Sequence, residues 1–391
     1  MKHVRIEFES NTYEGTLITE SPLFIKLASG YNMGFPDTAI IVDTKEVEHK
    51  VTSVPVENDE TLPALTIIHC GGTIASTVDY TTGAVNANIT PEQFLNIYPE
   101  LQHRVNLSLR LVDNIMSENM RFSDYNKIIE IIKQTDGPII ITHGTDTLHY
   151  TAAALSFAVR RHAPVIIVGA QRSPDRGSSD AYLNLNAAIT YALHTKDQGV
   201  SVCMHDSIND DRAIIIAGTQ SRKMHSSKRD AFKSINVRPL AYVTDTVEQL
   251  WKRHVDNPAY YTFNENLNMT IVYAHPQFHP DSIPQGMDGI MLMGTGLGHM
   301  PIGSHPENVA VLERIKSLNT TIVASTQCVY GRSNLSVYTP GRMLQESGVI
   351  VQQSLLPPES VFIKLAFCLS NPEFTVDSNI IGELEYPEVI E

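Results

Sequence analysis

From Leu65 onward the chain repeats one theme: short runs of branched apolar residues, "LTIIHC", "PIIITH", "PVIIVGA", "VSVCMH" and "AIIIAG". Each is too short for a helix and too continuously apolar for a strand with one wet face. Between several of them lie amphipathic or Ala-rich stretches of helical character, "SDYNKIIEIIKQT", "TAAALSFAVRRH" and "DAYLNLNAAITYALHT". Such runs alternating with helices predict a parallel sheet covered on both faces, an α/β fold. After an aromatic and polar interruption, "WKRHVDNPAYYTFNENLN", a second set follows: "TIVYAH", "GIMLMG", "TIVAST" and "VIVQQ", with helices near "ENVAVLERIKSL" and "PESVFIKLAFCL".

The first residues read differently. Short alternating runs separated by Gly and Pro predict a small antiparallel sheet or barrel. The expected organisation is therefore a small β domain over 1–54, a linker over 55–63, an α/β domain over 64–250, an inter-domain linker over 251–269 and a second α/β domain over 270–391. A chain of 391 residues is long enough for several cores. No apolar run reaches the ~20 residues of a membrane helix, and the opening "MKHVRIEFES" lacks the apolar core of a signal peptide. The expected location is cytoplasmic. The net charge of −14 argues against this chain alone wrapping nucleic acid. Cys70, Cys203, Cys328 and Cys368 are widely spaced with no CxxC pair, so buried thiols are expected rather than a zinc site or disulfides.

Ligands gather at the carboxyl ends of parallel strands. Two polar knots occupy that place: "LTIIHC" runs into Gly71-Gly72-Thr73, and "PIIITH" into Gly144-Thr145-Asp146. Glycines let the backbone turn closely and present N–H groups to a carboxylate or an oxyanion. Thr73, Thr145 and Asp146 are also good turn and helix caps, so either knot alone is weak. A third element, "QSRKMHSSKRDAFKS" (220–234), admits three readings. It is a solvated basic loop, a phosphate-contacting patch of Arg222, Lys228, Arg229 and Lys233, or the carrier of a lysine that turns inward to Asp146 and activates a threonine. "GTGLGHM" lacks the rest of a dinucleotide fingerprint, no GxxxxGK[ST] motif is present, and His275 with His279 has only loose metal spacing.

"GGTIAS" and "HGTDTLHYTAAALSF", in this order, resemble the L-asparaginase family from about Leu65 to the C-terminus. "YEGTLI…GYNMG", "VDYTTGAV", "SENM", "VGAQRSPDRGSSDAYLN", "RKMHSSKRDAFKSIN", "GTGLGH" and "TQCVYGRSNLSVY" extend the likeness over essentially the whole chain. They match the D-subunit branch of archaeal glutamyl-tRNA(Gln) amidotransferases, which adds an N-terminal β domain. The resemblance implies Thr73 as nucleophile and Thr145, Asp146 and Lys223 as a second catalytic set. It implies Tyr80 as a loop residue orienting Thr73, and Ser117 and Glu118 as holders of the substrate's α-carboxylate and α-amino groups. Gly72 and Gly144 belong to the same substrate pocket, and the Ala170 carbonyl contacts the substrate amide. His69 and Cys70, before the glycines, depart from the small polar residues usual in the family.

The implied reaction is hydrolysis of the glutamine side-chain amide. Ammonia passes to a partner, the amidotransferase's E subunit, which handles Glu-tRNA(Gln) with ATP and Mg2+. No cofactor is implied in this chain. A homodimer core with two partners, a heterotetramer, follows from the same likeness. A free-standing asparaginase/glutaminase and a non-catalytic scaffold for the tRNA-binding partner are the alternative readings.

Overall fold

The computed structural model of the chain describes residues 2–9, 11–27, 32–36, 38–46, 59, 61–72, 74, 77–78, 85–86, 94–95, 97–113, 115–174, 178–351 and 355–388. Two of the expected site residues, Thr73 and Tyr80, lie outside the described residues.

The N-terminal strands form a five-stranded sheet, antiparallel throughout, with Asn32–Phe35 and Ile40–Glu46 at its two edges. Alternation does the work expected of it: Val4, Ile6, Leu23, Ile25 and Phe35 face inward to a small apolar core.

The larger sheet has eight strands. Its core is parallel, in the spatial order Val200–His205, Val165–Val168, Ile139–Thr142, Ala64–His69, Asn106–Leu111. The strands Ile139–Thr142 and Val165–Val168 illustrate why the apolar runs read as they did: every residue of both is buried, clamped between helices on the two faces. The helix Leu148–Ala158 is buried almost all round, and its run of Ala152, Ala153 and Ala154 lets neighbouring backbone approach closely.

The sheet is mixed rather than wholly parallel, which corrects the expectation for "AIIIAG". The strand Ala213–Ala217 runs antiparallel to Val200–His205, with His205 opposite Ala213 and Ser201 opposite Ala217. Only seven residues (206–212) separate the two strands, too few for the dozen or more that a parallel crossover requires. The strands Ala241–Val243 and Val247–Gln249 continue the antiparallel side. The edge strand Asn106–Leu111, "NLSLRL", escaped the apolar-run criterion because its exposed edge position leaves it half polar.

A second, four-stranded sheet is parallel: Met269–Tyr273, Gly289–Gly294, Thr321–Thr326 and Ile350–Val351, in that order. Its last helix, Pro358–Ser370, packs on two of its strands and on Leu148–Ala158, with the Phe157 and Phe367 rings 5.9 Å apart. The aromatic segment over 251–269 is strapped to the first layer. Arg253 forms a buried ion pair with Asp197 (2.6 Å), Ala259–Tyr260 pairs with Val159–Arg160, and Asn126 exchanges hydrogen bonds with the Phe263 backbone. Cys70, Cys203 and Cys368 are buried thiols, whereas Cys328 is exposed. Among the described residues no helix is long and apolar enough to cross a membrane, and no group of His, Cys, Asp or Glu is arranged to hold a metal ion.

Candidate active site

Register brings the motifs together. Ile141 pairs with Ile68 on one side and Ile167 on the other, and His69 pairs with both Thr142 and Leu111. The carboxyl ends of four adjacent strands are therefore level, about 4.8 Å from one to the next. The ladder runs on past them through Cys70 N–H to Thr142 O (3.0 Å), His143 N–H to Val168 O (3.0 Å) and Val112 N–H to His69 O (3.0 Å). Four strands thus deliver Gly72, the turn at Ser117, Gly144-Thr145-Asp146 and Gly169-Ala170 to one edge.

The contact between the two glycine motifs is tight. Gly72 adopts φ +89°, and a Cβ there would lie 2.5 Å from Gly144 N and 2.7 Å from its Cα. A Cβ on Gly144 would in turn meet Ser117 Cβ and Oγ at 2.9 Å. Ser117 is buried, and Thr147 clamps it by donating from Oγ1 to Ser117 O at 2.5 Å. On the far side, a Cβ on Gly169 would touch Thr145 Cγ2 at 2.9 Å, so the buried Ala170 follows immediately beside Thr145. Glu118 stands exposed on the same short turn, Ser117–Asn119.

Lys223 arrives from the antiparallel side, 78 residues beyond Thr145. After Ala217 the chain runs back along Leu148–Ala158, packed so closely that a Cβ on Gly218 would strike Ser156 Oγ and Ala152 O. It then enters the hairpin Ser221–Lys223 with Phe232–Ser234. Lys223 Nζ donates to Thr145 Oγ1 at 2.9 Å and to Asp146 Oδ1 at 2.7 Å. The lysine side chain is only 10% exposed while Asp146 is 63% exposed, so the acid opens to solvent and the amine is sheltered.

This geometry bears on the three readings of residues 220–234. Arg222 pairs with Glu359 at 3.1 Å, Arg229 with Asp210 at 2.5 Å, and Lys233 donates to Asp230 and to Asp206 O. These three cations are spent within the molecule, Lys228 is exposed, and Lys223 is the residue that turns inward. Ser360 Oγ donates to Thr219 O at 2.7 Å, so the N-terminus of Pro358–Ser370 braces the segment leading to the lysine.

Two imidazoles lie nearby. His143 Nδ1 meets Gly144 O at 2.7 Å and Nε2 meets Thr151 Oγ1 at 2.8 Å; burial pushes its pKa down to about 4. Burial, aided by Arg222 and Lys223, pushes His149 down to about 3. His69, the departure from the family pattern, is buried against Thr142 Oγ1 at 2.7 Å and ties the two strand ends together. A cavity of 740 Å³ opens next door, lined by Met120, Thr147, Tyr150, Glu265 and Phe362 among others. His275 and His279 bond locally, to Pro276 O and to Asp281 N–H. Thr147 escaped the motif analysis although it stands in the same "GTDT" knot, and a hydroxyl at a helix start was signal enough.

A fold of this kind, with Thr145, Asp146 and Lys223 at its strand ends, is that of the asparaginase/glutaminase class. The family model "Asparaginase, N-terminal" matches residues 64–255, and "Glutaminase/Asparaginase C-terminal domain" matches 268–378. The L-asparaginase of Thermococcus kodakarensis superposes with a TM-score of 0.72 at 30% identity, covering 82% of this chain and 99% of that one. L-asparaginase I from Vibrio cholerae shares the fold at 24% identity and a TM-score of 0.71, covering 83% of this chain and 99% of that one. The remainder is accounted for by relatives that match along almost the whole length. The D subunit of glutamyl-tRNA(Gln) amidotransferase from Methanococcus maripaludis is 36% identical over 97% of this chain and 97% of its own. Its counterpart in Archaeoglobus fulgidus is 37% identical over 98% of this chain and 95% of its own. The chain belongs to the family of glutamyl-tRNA(Gln) amidotransferase D subunits.

Proposed function

We propose that this chain is the glutaminase component of a Glu-tRNA(Gln) amidotransferase, hydrolysing the side-chain amide of glutamine and supplying ammonia to a partner, the E subunit. The observation that carries the reading is the lysine bridge from Nζ to both Thr145 Oγ1 and Asp146 Oδ1, at the strand ends of a chain akin to the D subunits over almost its whole length.

In this reading Thr73 is the nucleophile. Its hydroxyl adds to the amide carbon, the carbon–nitrogen bond breaks, ammonia leaves, and water cleaves the resulting ester to give glutamate. A threonine hydroxyl needs a base; the amine form of Lys223, oriented by Asp146, takes the proton through Thr145, and the same proton goes to the departing nitrogen, which leaves as ammonia. Ser117 and Glu118 hold the α-carboxylate and α-amino groups, Tyr80 orients Thr73, Gly72 and Gly144 shape the pocket floor, and the Ala170 carbonyl receives the amide N–H. ATP and Mg2+ act at the partner, which activates the glutamate on tRNA(Gln). The domain division over 1–54, 64–250 and 270–391, a heterotetramer built on a homodimer core, and a cytoplasmic location belong to the same proposal.

The test is ammonia release from glutamine by the purified chain, alone and with partner and Glu-tRNA(Gln). A steep rise on assembly is expected; rapid asparagine turnover by the isolated chain overturns the reading in favour of a free asparaginase. Thr73→Val should abolish glutamine use while leaving transamidation from added ammonium intact.

A further inference from the structure

A buried polar chain that the hydrolysis does not use joins the turn after Val165–Val168 to the hairpin carrying Lys223. Asp180, wholly buried at the start of helix Ala181–His194, accepts from the Gln171 N–H (2.9 Å) and the Arg172 N–H (3.0 Å). One turn on, the wholly buried Asn184 donates from Nδ2 to Asp180 Oδ2 (3.1 Å) and to Gly169 O (3.0 Å). Those two acceptors fix the amide's orientation, so its Oδ1 is an acceptor too. It faces His205 Nδ1 at 2.6 Å, and the other ring nitrogen, Nε2, faces Asp210 Oδ1 at 3.0 Å.

A neutral imidazole has one N–H and one bare nitrogen. Here both nitrogens meet oxygens without hydrogens. Asp210 also pairs with Arg229 at 2.5 Å, and its pKa lies below the ordinary carboxylate value. A bare nitrogen at either contact would oppose lone pair to lone pair around a ring of 0% exposure, where no water relieves it. An N–H on each ring nitrogen would satisfy both contacts at once. The ionisable groups around it are Asp210 on the loop, Arg229 beyond it, Asp180 on the helix, whose pKa burial raises, and Asp206, which is turned to Arg212 at 2.6 Å.

We propose that His205 is a positioning residue, an imidazolium strut that holds the Gly169–Arg172 turn through Asn184 and Asp180, and the Lys223 hairpin through Asp210 and Arg229. The proposal deepens the glutaminase reading and rests on it only where Ala170 and Lys223 are given roles. One side chain then sets the spacing between the carbonyl that receives the substrate amide and the lysine that serves the hydroxyls.

Two measurements test it. In full chain grown with isotope-labelled histidine, the His205 ring, identified by its loss in His205→Gln, is expected to show two protonated nitrogens at neutral pH; a bare nitrogen overturns the strut. Asp210→Asn, at a side chain 65% exposed and so benign for folding, presents an N–H to Nε2 and should leave the ring with a single proton. In the assembled complex both variants should raise KM for glutamine about tenfold with a smaller change in kcat, as loss of a charged hydrogen bond in one subsite predicts. Folded variants with wild-type KM overturn the proposal. Should the wild-type complex hydrolyse no glutamine, the function falls, and the protonation of the ring still decides the strut.

Discussion

Replacing Gly72 with alanine separates the two motifs that must meet. The added methyl would sit 2.5 Å from Gly144 N, 2.7 Å from its Cα and 2.8 Å from the His143 carbonyl carbon, all of them backbone atoms with no side-chain freedom to yield. Opening the nearest of these contacts to the 3.4 Å of ordinary van der Waals approach moves one motif by about 0.9 Å relative to the other. A displacement of about 1 Å between reacting groups costs on the order of 100-fold in rate, or about 2.7 kcal/mol of barrier. The methyl must also sit at φ +89°, a left-handed conformation costing about 1–2 kcal/mol, on top of about 1–3 kcal/mol for overpacking. Gly286→Ala is the control: its φ is +73° but nothing lies within 4 Å of the added atom, so it carries the backbone strain without the clash. Steady-state ammonia release from glutamine by the assembled complex, with thermal melting to confirm folding, separates the two. Gly72→Ala should lose about two orders of magnitude in turnover and Gly286→Ala almost none. A folded Gly72→Ala protein within a few-fold of wild type would refute the argument that backbone contact between the two knots sets the catalytic geometry.

Lys364 and Glu383 form an ion pair at 2.7 Å with neither side chain exposed, the lysine also donating to Ser378 O and the carboxylate accepting from Ile380 and Ile381 N–H. Lys364→Met should cost about 3–5 kcal/mol in urea unfolding, because it strands a buried carboxylate, while adding Glu383→Gln recovers most of the loss; a single variant as stable as wild type contradicts this. The two neutral imidazoles make acid stability measurable. With folded pKa values of about 4 for His143 and about 3 for His149 against 6.5 in an open chain, the unfolded state binds more protons below pH ~6.5. Their contribution is complete above that pH and is lost as pH falls through it, down toward 4 and then 3. Urea midpoints should decline over that window, and His149→Phe should flatten the decline; an unchanged slope counts against a neutral buried His149. Lys223→Met should reduce turnover about 100-fold or more with the fold intact, and persistence of near-normal glutamine hydrolysis would remove the lysine from the mechanism.

Local periodicity and motif chemistry carried much of this molecule. "PIIITH" is buried on every residue of its strand because both faces are covered, and Ala152 to Ala154 read as helix because small residues suit close packing. The same reasoning placed Thr145 and Asp146 at the join, since a strand that ends in "GTD" before a helix must leave its polar groups at the sheet edge. It could not tell that "AIIIAG" runs backwards, because apolarity is blind to strand direction, although a loop of seven residues carried the hint. Nor could it tell a solvated arginine from one paired with Glu359, far along the chain from Arg222.

What tertiary structure alone decided is proximity between distant segments. The level strand ends follow from register, a property of backbone pairing between strands that no single strand encodes. Lys223 reaches Thr145 because the chain doubles back along a helix made thin enough by alanine to admit it. His205 looks in sequence like any histidine closing an apolar strand; only the fold shows that its two ring nitrogens meet an amide oxygen and a carboxylate. Residue types and their spacing determined which chemistry was available, and the packing of segments far apart in the chain determined which groups share it, because contact energies depend on distances in space that a linear string does not contain.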